Sequence, residues 1–219
     1  MPGKNTRILG DKPLISHSID LAKRIIEIDD IFVSTDDNHA ARIAKDAGVH
    51  LIDRPKELCA DDSPELLAWR HAIEWVQHRF GDFDQFLSLP ATSPLRNETD
   101  VRNSLALLSD DADVVITVSE SSRNPWFNMI QFDKQKWANR LVSANAKVFR
   151  HQDAPETYDM TTVAYVSRPG FILNSLDIFD GNVAAVVIPA KRGLDIDTEF
   201  DFEIAEYLIS KLNKGVQGD

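Results

Sequence analysis

Two carboxylates separated by one apolar residue are the feature of this chain with the clearest chemical potential. Asp195 and Asp197 flank Ile196, and Thr198 and Glu199 follow directly. In an extended segment alternate side chains share a face, so both carboxylates point one way while Ile196 points into the core. Neighbouring carboxylates repel unless a cation lies between them, and oxygen ligands of this kind suit Mg²⁺, with Mn²⁺ as a substitute. The alternative is structural, with Asp197 or Thr198 capping the helix that begins here.

The elements that must position this pair alternate along the chain. Helical periodicity and short apolar runs succeed one another, which is typical of βαβ units in a three-layer α/β fold with a mostly parallel sheet. The predicted helices cover 12–26, a segment ending at Gly48, 63–80, 98–108 and 198–212. The predicted strands cover 31–34, 49–52, 86–89, 113–118, 162–166 and 183–188. The alternation breaks over 121–160, so we predict one domain spanning 1–219 with an inserted arm at 121–160.

Composition restricts the class of protein. The 219 residues are 43% hydrophobic, which is enough for one sizeable core. A formal net charge of −11 argues against a protein that coats nucleic acid or binds anionic lipid by bulk electrostatics. The sequence has no apolar run of membrane-spanning length and no secretory signal, and its single Cys59 lacks an internal disulfide partner. We therefore expect a cytoplasmic protein that binds neither nucleic acid nor membrane.

Polar side chains follow the carboxyl ends of four predicted strands, where open α/β sheets bind their ligands. Arginines among them suit planar anions and carboxylates suit a metal, so together they predict a site for an anion and a divalent cation. Any single loop is better explained by ordinary surface polarity, and it is the agreement among four that favours a site. The loops are Ser34-Thr35-Asp36, Asp53-Arg54-Pro55, Thr92 to Arg96, and Lys191-Arg192-Gly193 before Asp195 and Asp197.

These residues resemble a known family, the CMP-sialic acid synthetases or acylneuraminate cytidylyltransferases. The matching pieces occur in the family's order and spacing across essentially the whole chain, and T-S-P-L-R and D-I-D-T-E are the most specific. They are Pro-Gly-Lys-Asn at 2–5, Ser-Thr-Asp at 34–36, Arg-Pro at 54–55, Thr-Ser-Pro-Leu-Arg at 92–96 and Asp-Ile-Asp-Thr-Glu at 195–199. The resemblance implies a Rossmann-like nucleotide-diphospho-sugar transferase fold.

The resemblance also implies an activity and an assembly. The expected enzyme is a nucleotidyltransferase that moves CMP from CTP to a nine-carbon α-keto sugar acid, releases pyrophosphate and requires Mg²⁺. It would work as a homodimer in which the arm at 121–160 reaches across to the second copy.

Roles for individual residues follow from the same resemblance. Asp195 and Asp197 correspond to the family's metal-binding pair and, with Lys4 near the phosphates, to its catalytic groups. Asn5 would lie near the cytosine, and Arg54 would contact CTP. The residues that would border the sugar-acid pocket are Thr92, Ser93, Arg96 and Tyr165.

Two departures from the family pattern bear on this interpretation. The family's nucleotide loop normally follows a central strand and begins further upstream, whereas this sequence starts inside the loop. Without that strand we expect unpaired strand backbone and an open apolar slot in the sheet.

In the sugar pocket, Pro90-Ala91 replaces Gln-Pro and Thr161-Thr162 replaces Asn-Gly. A lost amide removes a hydrogen bond to a sugar, which leaves legionaminic, pseudaminic and deaminated relatives of sialic acid open as substrates.

Two alternatives stand beside the main hypothesis. One is a Kdo-type cytidylyltransferase, although its loop usually reads P-G-K-P and Asn5 stands at the last position here. The other is a non-catalytic homologue that lacks a working nucleotide loop.

Overall fold

A computed structural model describes residue 1 and residues 3–59, 63–142 and 150–215 of the chain. Its strands are β1 (Ile8–Leu9), β2 (Lys12–Pro13), β3 (Phe32–Thr35), β4 (His50–Asp53), β5 (Phe86–Ser88), β6 (Val114–Glu120), β7 (Ile130–Phe132), β8 (Ala138–Arg140), β9 (Tyr158–Ser167) and β10 (Val183–Val187). Its α-helices are α1 (Leu14–Arg24), α2 (Asn38–Asp46), α3 (Glu65–Phe80), α4 (Glu98–Leu107), α5 (Pro169–Asn174) and α6 (Glu199–Gly215).

A four-stranded sheet with the order β10-β6-β9-β5 forms the centre of the fold. β10 runs parallel to β6, while β9 runs antiparallel to both β6 and β5. β3 and β4 form a separate parallel pair. The predicted α/β class is confirmed, and the sheet is mixed because the chain leaves β6 through the excursion and returns beside it as β9, in the opposite direction.

Helices cover both faces of the four-stranded sheet, which gives the three layers predicted from the sequence. On one face Ile116 of β6 packs with Trp69 of α3. On the other face Val163 of β9 packs with Leu21 of α1 and Val101 of α4. Within the described residues, no helix combines the length and apolar character that crossing a membrane requires.

Helix α6 anchors the aspartate segment to the amino-terminal part of the chain. Phe202 and Ile209 of α6 share one buried cluster with Leu9, Leu14 and Ile196. Ile196 is 0% exposed. Burying a side chain of this size contributes about 1.5–3 kcal/mol, so the residue between the two aspartates is a strong anchor.

Two strand edges, one on β3 and one on β5, have no strand partner among the residues that the structure describes. β3 pairs with β4 alone, and β5 pairs with β9 alone, so the two sheets are not joined by a ladder of hydrogen bonds. All three residues of β5 are only half-buried.

The segment predicted as an arm contains a short hairpin. β7 and β8 pair antiparallel, with Ile130 opposite Arg140. Phe132 is 69% exposed and Trp137 is 72% exposed, so the hairpin presents large apolar side chains to solvent. Residues 143–149 of the predicted arm lie outside the described residues.

Candidate active site

The aspartate segment lies between β10 and α6 and is fixed at its middle residue. The backbone N–H of Ile196 donates a hydrogen bond of 2.9 Å to the carbonyl oxygen of Thr92. Asp195 is half-buried, and its Oδ1 atom is buried without a hydrogen-bond partner among the described residues. The side chain of Asp197 is 71% exposed. The backbone bond therefore holds both aspartates beside the predicted substrate loop at 92–96.

The cap of α6 is made by Thr198 and Asp201, and the Asp197 carboxylate takes no part in it. Asp201 Oδ2 accepts from the backbone N–H of Thr198 at 2.8 Å and from Thr198 Oγ1 at 2.7 Å. Thr198 Oγ1 in turn accepts from the backbone N–H of Asp201 at 3.2 Å. Of the two capping residues that the sequence left open, Thr198 is the one used, so capping does not account for the two aspartates.

Lys4 joins the amino-terminal loop to the aspartate segment. Its Nζ atom lies 3.0 Å from Asp197 Oδ1. A second ion pair, 2.6 Å long, links Arg7 to Glu199 at the start of α6. Gly3 allows this approach because it adopts a left-handed conformation with φ of 64°, which side chains disfavour. Of the other residues in this motif, Asn5 is exposed and Pro2 lies outside the described residues.

Arg54, which follows β4, bonds to Ser34 near the carboxyl end of β3. Its Nε donates to Ser34 Oγ at 3.1 Å, and its Nη2 donates to the Ser34 carbonyl at 2.8 Å. The guanidinium group thus satisfies one carbonyl of β3. Two of the loops predicted to converge, at 34–36 and 53–55, are joined by this side chain.

Glu65, at the first turn of α3, adds a carboxylate that no motif in the sequence points to. Desolvation raises the pKa of Glu65, and the charge of Asp195 raises it further. A hydrogen bond with Trp69 and the charge of Arg54 act in the opposite direction. Burial, assisted by the charges of Glu65 and Asp195, raises the pKa of Tyr165 to about 12. The Tyr165 phenol therefore stays protonated at neutral pH.

Three hydroxyl groups meet at the predicted substrate loop. Thr162 Oγ1 lies 2.7 Å from Ser93 Oγ and 3.4 Å from Thr92 Oγ1. A register shift in the pairing of β6 with β9 brings Thr162 there, because Ile116 pairs with Tyr165 while the next residue of β6 pairs with Thr161. The bulge is held by the Thr117 hydroxyl, which accepts from the backbone N–H of Ala164 at 3.2 Å and from the Thr161 hydroxyl at 2.8 Å.

Arg96 lies behind this loop and bonds to the protein itself. Only 5% of it is exposed. Its guanidinium group donates to Ser18 Oγ at 2.6 Å, to the Thr162 carbonyl at 3.1 Å and to the Pro90 carbonyl. Burial lowers the pKa of Arg96 to about 9, against the opposing charge of Asp195. A cation in this position ties the loop to α1 and β9.

The donor set fits a divalent cation only if substrate oxygens or water complete the coordination. Within the described residues no group of three or more His, Cys, Asp or Glu side chains is placed to hold a metal. Asp195 nevertheless offers a buried oxygen without a hydrogen-bond partner among those residues, and Asp197 offers an exposed carboxylate. Mg²⁺ usually keeps several waters and binds one or two protein carboxylates together with substrate phosphates. Asp195 and Asp197 match that pattern.

Sequence reasoning assigned no role to Glu65 or Thr162. Thr162 was visible as a departure from the family pattern, but its contact with Ser93 depends on a bulge that hydrophobic patterning does not reveal. Glu65 follows Pro64 at the start of a helix, where an acidic residue is common for reasons of helix stability alone.

Comparisons with known proteins show the family of the chain. A family model described as cytidylyltransferase matches residues 1–169. The "Post-translational flagellin modification protein B" of Campylobacter coli is 30% identical over 213 residues, which cover 96% of this chain and 89% of that protein. The "CMP-N,N'-diacetyllegionaminic acid synthase" of Campylobacter jejuni is 29% identical over 214 residues, with 96% and 89% coverage.

A solved structure shows a similar fold. The CMP:2-keto-3-deoxy-manno-octonic acid synthetase, in complex with CTP, superposes with a TM-score of 0.70 at 17% identity. The match covers 96% of this chain and 93% of the other. At this identity the likeness concerns the fold alone.

Proposed function

The chain belongs to the cytidylyltransferase family, and from that premise we propose that it transfers CMP from CTP to a nine-carbon α-keto sugar acid. The acid is of the sialic type or a relative such as legionaminic or pseudaminic acid. The observation that carries this proposal is the meeting of Lys4 with Asp197, 3.0 Å apart, beside the loop that contains Thr92. In this proposal the Lys4 ammonium group binds phosphate and the two aspartates bind the metal, next to the hydroxyl groups of the loop at 92–96.

The proposed reaction is a single displacement at phosphorus. The anomeric hydroxyl oxygen of the sugar acid attacks the α-phosphorus of CTP. The bond from that phosphorus to the bridging oxygen breaks, pyrophosphate leaves and the hydroxyl proton is released. Such a reaction needs positioning and charge stabilisation more than covalent chemistry from the protein.

Each of the charged residues would have its own role in this reaction. Asp195 and Asp197 would hold Mg²⁺, which when bound offsets the negative charge of the phosphate oxygens. Lys4, which lies 3.0 Å from Asp197, would supply a second positive charge to a phosphate oxygen. Asn5 and Arg54 would contact the nucleotide, Asn5 from an exposed position and Arg54 from the end of β3.

The sugar acid would lie against the hydroxyls of Thr92 and Thr162, while Ser93, which is 0% exposed, bonds to Thr162 from behind. These groups donate and accept hydrogen bonds without carrying charge, which suits the hydroxyl and acylamino groups of such sugars. Tyr165 was expected to border the sugar acid, but only 5% of it is exposed, and its ring lies 5.0 Å from the Trp69 ring in the core. Arg96 would act by holding the loop in place, since its guanidinium group already bonds to Ser18 and Thr162.

We also propose that the protein is a homodimer of single-domain subunits that works in the cytoplasm, where CTP is available. The β7–β8 hairpin within the arm at 121–160 would pack against the second copy. Support comes from its exposed apolar side chains, since Phe132 and Trp137 are 69% and 72% exposed. Large exposed apolar groups that cluster in this way are typical of protein interaction surfaces.

The test is pyrophosphate release with CTP and Mg²⁺ against a panel of nonulosonic acids and Kdo. We expect release with one nonulosonic acid, and Asp195→Asn should abolish it. Preference for Kdo would favour the Kdo-type alternative. A second form of the protein, with a strand and a complete nucleotide loop fused upstream, should be assayed in parallel because one edge of β3 and one edge of β5 lack a strand partner among the described residues. Folded protein of both forms without turnover would favour the non-catalytic homologue.

A further inference from the structure

An ion pair links the turn before the aspartate segment to the start of α4. Arg192 Nε lies 2.8 Å from Asp100 Oδ2, and Arg192 Nη2 lies 2.8 Å from Asp100 Oδ1. The side chain of Asp100 is 3% exposed and that of Arg192 is 26% exposed. A bidentate pair of this kind fixes both distance and direction, and its partial burial shields it from solvent.

The acidic partner is itself held rigidly. Asp100 and Asn97 form a capping box at the start of α4. The backbone N–H of Asp100 donates to Asn97 Oδ1 at 2.9 Å, and the backbone N–H of Asn97 donates to Asp100 Oδ2 at 3.2 Å. Arg192 is therefore tied to the end of a helix and not to a mobile surface side chain.

Two residues separate the basic partner from Asp195, and the chain between them has little freedom. Arg192 and Gly193 lie in a turn in which the Gly193 N–H donates to the Ala190 carbonyl at 3.0 Å. A Cβ atom at Gly193 would lie 2.8 Å from Thr161 Cγ2, so the backbone passes close to β9. The next fixed point is the bond from the Ile196 N–H to the Thr92 carbonyl.

We propose that Arg192 and Asp100 are positioning residues, which hold Asp195 in register with the loop at 92–96. The role rests on the proposed function, because Asp195 is there the metal-binding carboxylate. The ion pair fixes the segment before Asp195, and the Ile196 bond fixes it after Asp195. Without the ion pair, the buried Asp100 carboxylate loses the Arg192 cation, and the turn at 190–193 becomes free to shift.

The test compares Arg192→Met with Arg102→Met. Arg102 lies on the same helix as Asp100 and pairs with Glu98 at 3.1 Å and Glu27 at 3.2 Å, away from the segment. We expect Arg192→Met to raise amide hydrogen exchange at Ile196 about tenfold, the effect of losing one strong charged contact. Mn²⁺ affinity in the presence of CTP, measured by electron paramagnetic resonance, should fall by about the same factor. Arg102→Met should match the wild type in both, and Arg192→Lys, which keeps the charge without the bidentate geometry, should fall between.

The outcomes separate the two proposals. Unchanged exchange at Ile196 in Arg192→Met overturns the positioning role, and so does faster exchange with unchanged Mn²⁺ affinity, since the pair would then be structural only. Equal effects in the Arg192 and Arg102 variants overturn it as well. Should Arg192→Met fail to fold, Arg192→Lys decides by the same two measurements. Absence of pyrophosphate release from both folded forms of the protein, with and without the added upstream strand, refutes the proposed function, while the exchange measurement still judges the ion pair.

Discussion

Lys4 Nζ lies 3.0 Å from Asp197 Oδ1, although 193 positions separate the two residues in the chain. The contact brings the amino-terminal turn against the start of α6, where Arg7 and Glu199 form a second ion pair. Exposed ion pairs contribute only ~0–1 kcal/mol each, so this arrangement does little for stability. Its consequence is electrostatic. The Lys4 ammonium group partly neutralises Asp195 and Asp197, whose carboxylates otherwise repel each other and would also repel a phosphate.

Lys4→Met should therefore lower kcat/KM about 100-fold or more while leaving the folded protein intact, as the loss of one charge-stabilising group does in other enzymes. Initial rates of pyrophosphate release measure the effect, and urea unfolding measures stability. The matched control is Lys12→Met, because Lys12 forms an ion pair with Asp20 and touches none of the proposed site. Equal rates for the two variants would contradict a role for Lys4.

Substitution of Asp197 should affect activity and substitution of Asp201 should affect stability, although the two residues are only four positions apart. Asp197→Asn should abolish turnover and change the free energy of unfolding by less than about 1 kcal/mol, because its one ion pair is exposed. Asp201→Asn weakens the cap with Thr198 and should cost about 0.5–1 kcal/mol in stability while turnover persists. The reverse pattern would mean that Asp197 is the structural residue.

The stability difference between wild type and Asp201→Asn should depend on pH. The hydrogen bond from Thr198 lowers the pKa of Asp201. A lowered carboxyl pKa stabilises the folded state above the unfolded-state value of ~3.9, and this contribution disappears as the pH falls through the lowered folded-state pKa. Urea unfolding at a series of pH values should show the two proteins converging in acid. A constant difference would mean that the charge of Asp201 does not act in the cap.

The sequence predicted most of the elements, and what it missed has physical causes. The strand expected at 183–188 is observed as β10 at Val183–Val187, because a continuous apolar run is a strong signal. β9 begins at Tyr158, earlier than the expected 162, because its first residues are exposed and carry no burial pattern. The direction of β9 has no local signal at all, since pairing is decided between segments distant in sequence.

The candidate site, like the fold, was predicted only in part from the sequence. The aspartates and the loop at 92–96 were predicted from residue types, whereas Arg96 was expected to border the sugar and is found buried, bonded to Ser18. Residue type gives the chemistry of a guanidinium group but not which way it points. The Arg192–Asp100 pair was equally hidden, because 92 positions separate its members.

Thr162→Val should change the preference among sugar acids without affecting CTP. The substitution keeps the shape of the side chain but removes the hydroxyl beside Ser93. Loss of one neutral hydrogen bond should lower kcat/KM for the preferred acid roughly three- to tenfold, with the KM for CTP unchanged. Thr157→Val is the control, because its hydroxyl donates to the Arg123 carbonyl, outside both the bulge and the loop at 92–96. The same profile across the acid panel in wild type and Thr162→Val would exclude Thr162 from the sugar pocket.

The β7–β8 hairpin should decide the oligomeric state. Light scattering on the wild type should give about twice the chain mass of 24.6 kDa. Replacing Phe132 and Trp137 together by Ser should shift the protein toward monomer, because two large anchors are lost from a packed apolar interface. Ile26 and Leu176, which are 89% and 87% exposed and lie outside the arm, provide the matched double-serine control. A wild type that is monomeric at all concentrations, or a dimer that survives the hairpin substitutions, would show that the hairpin has another role.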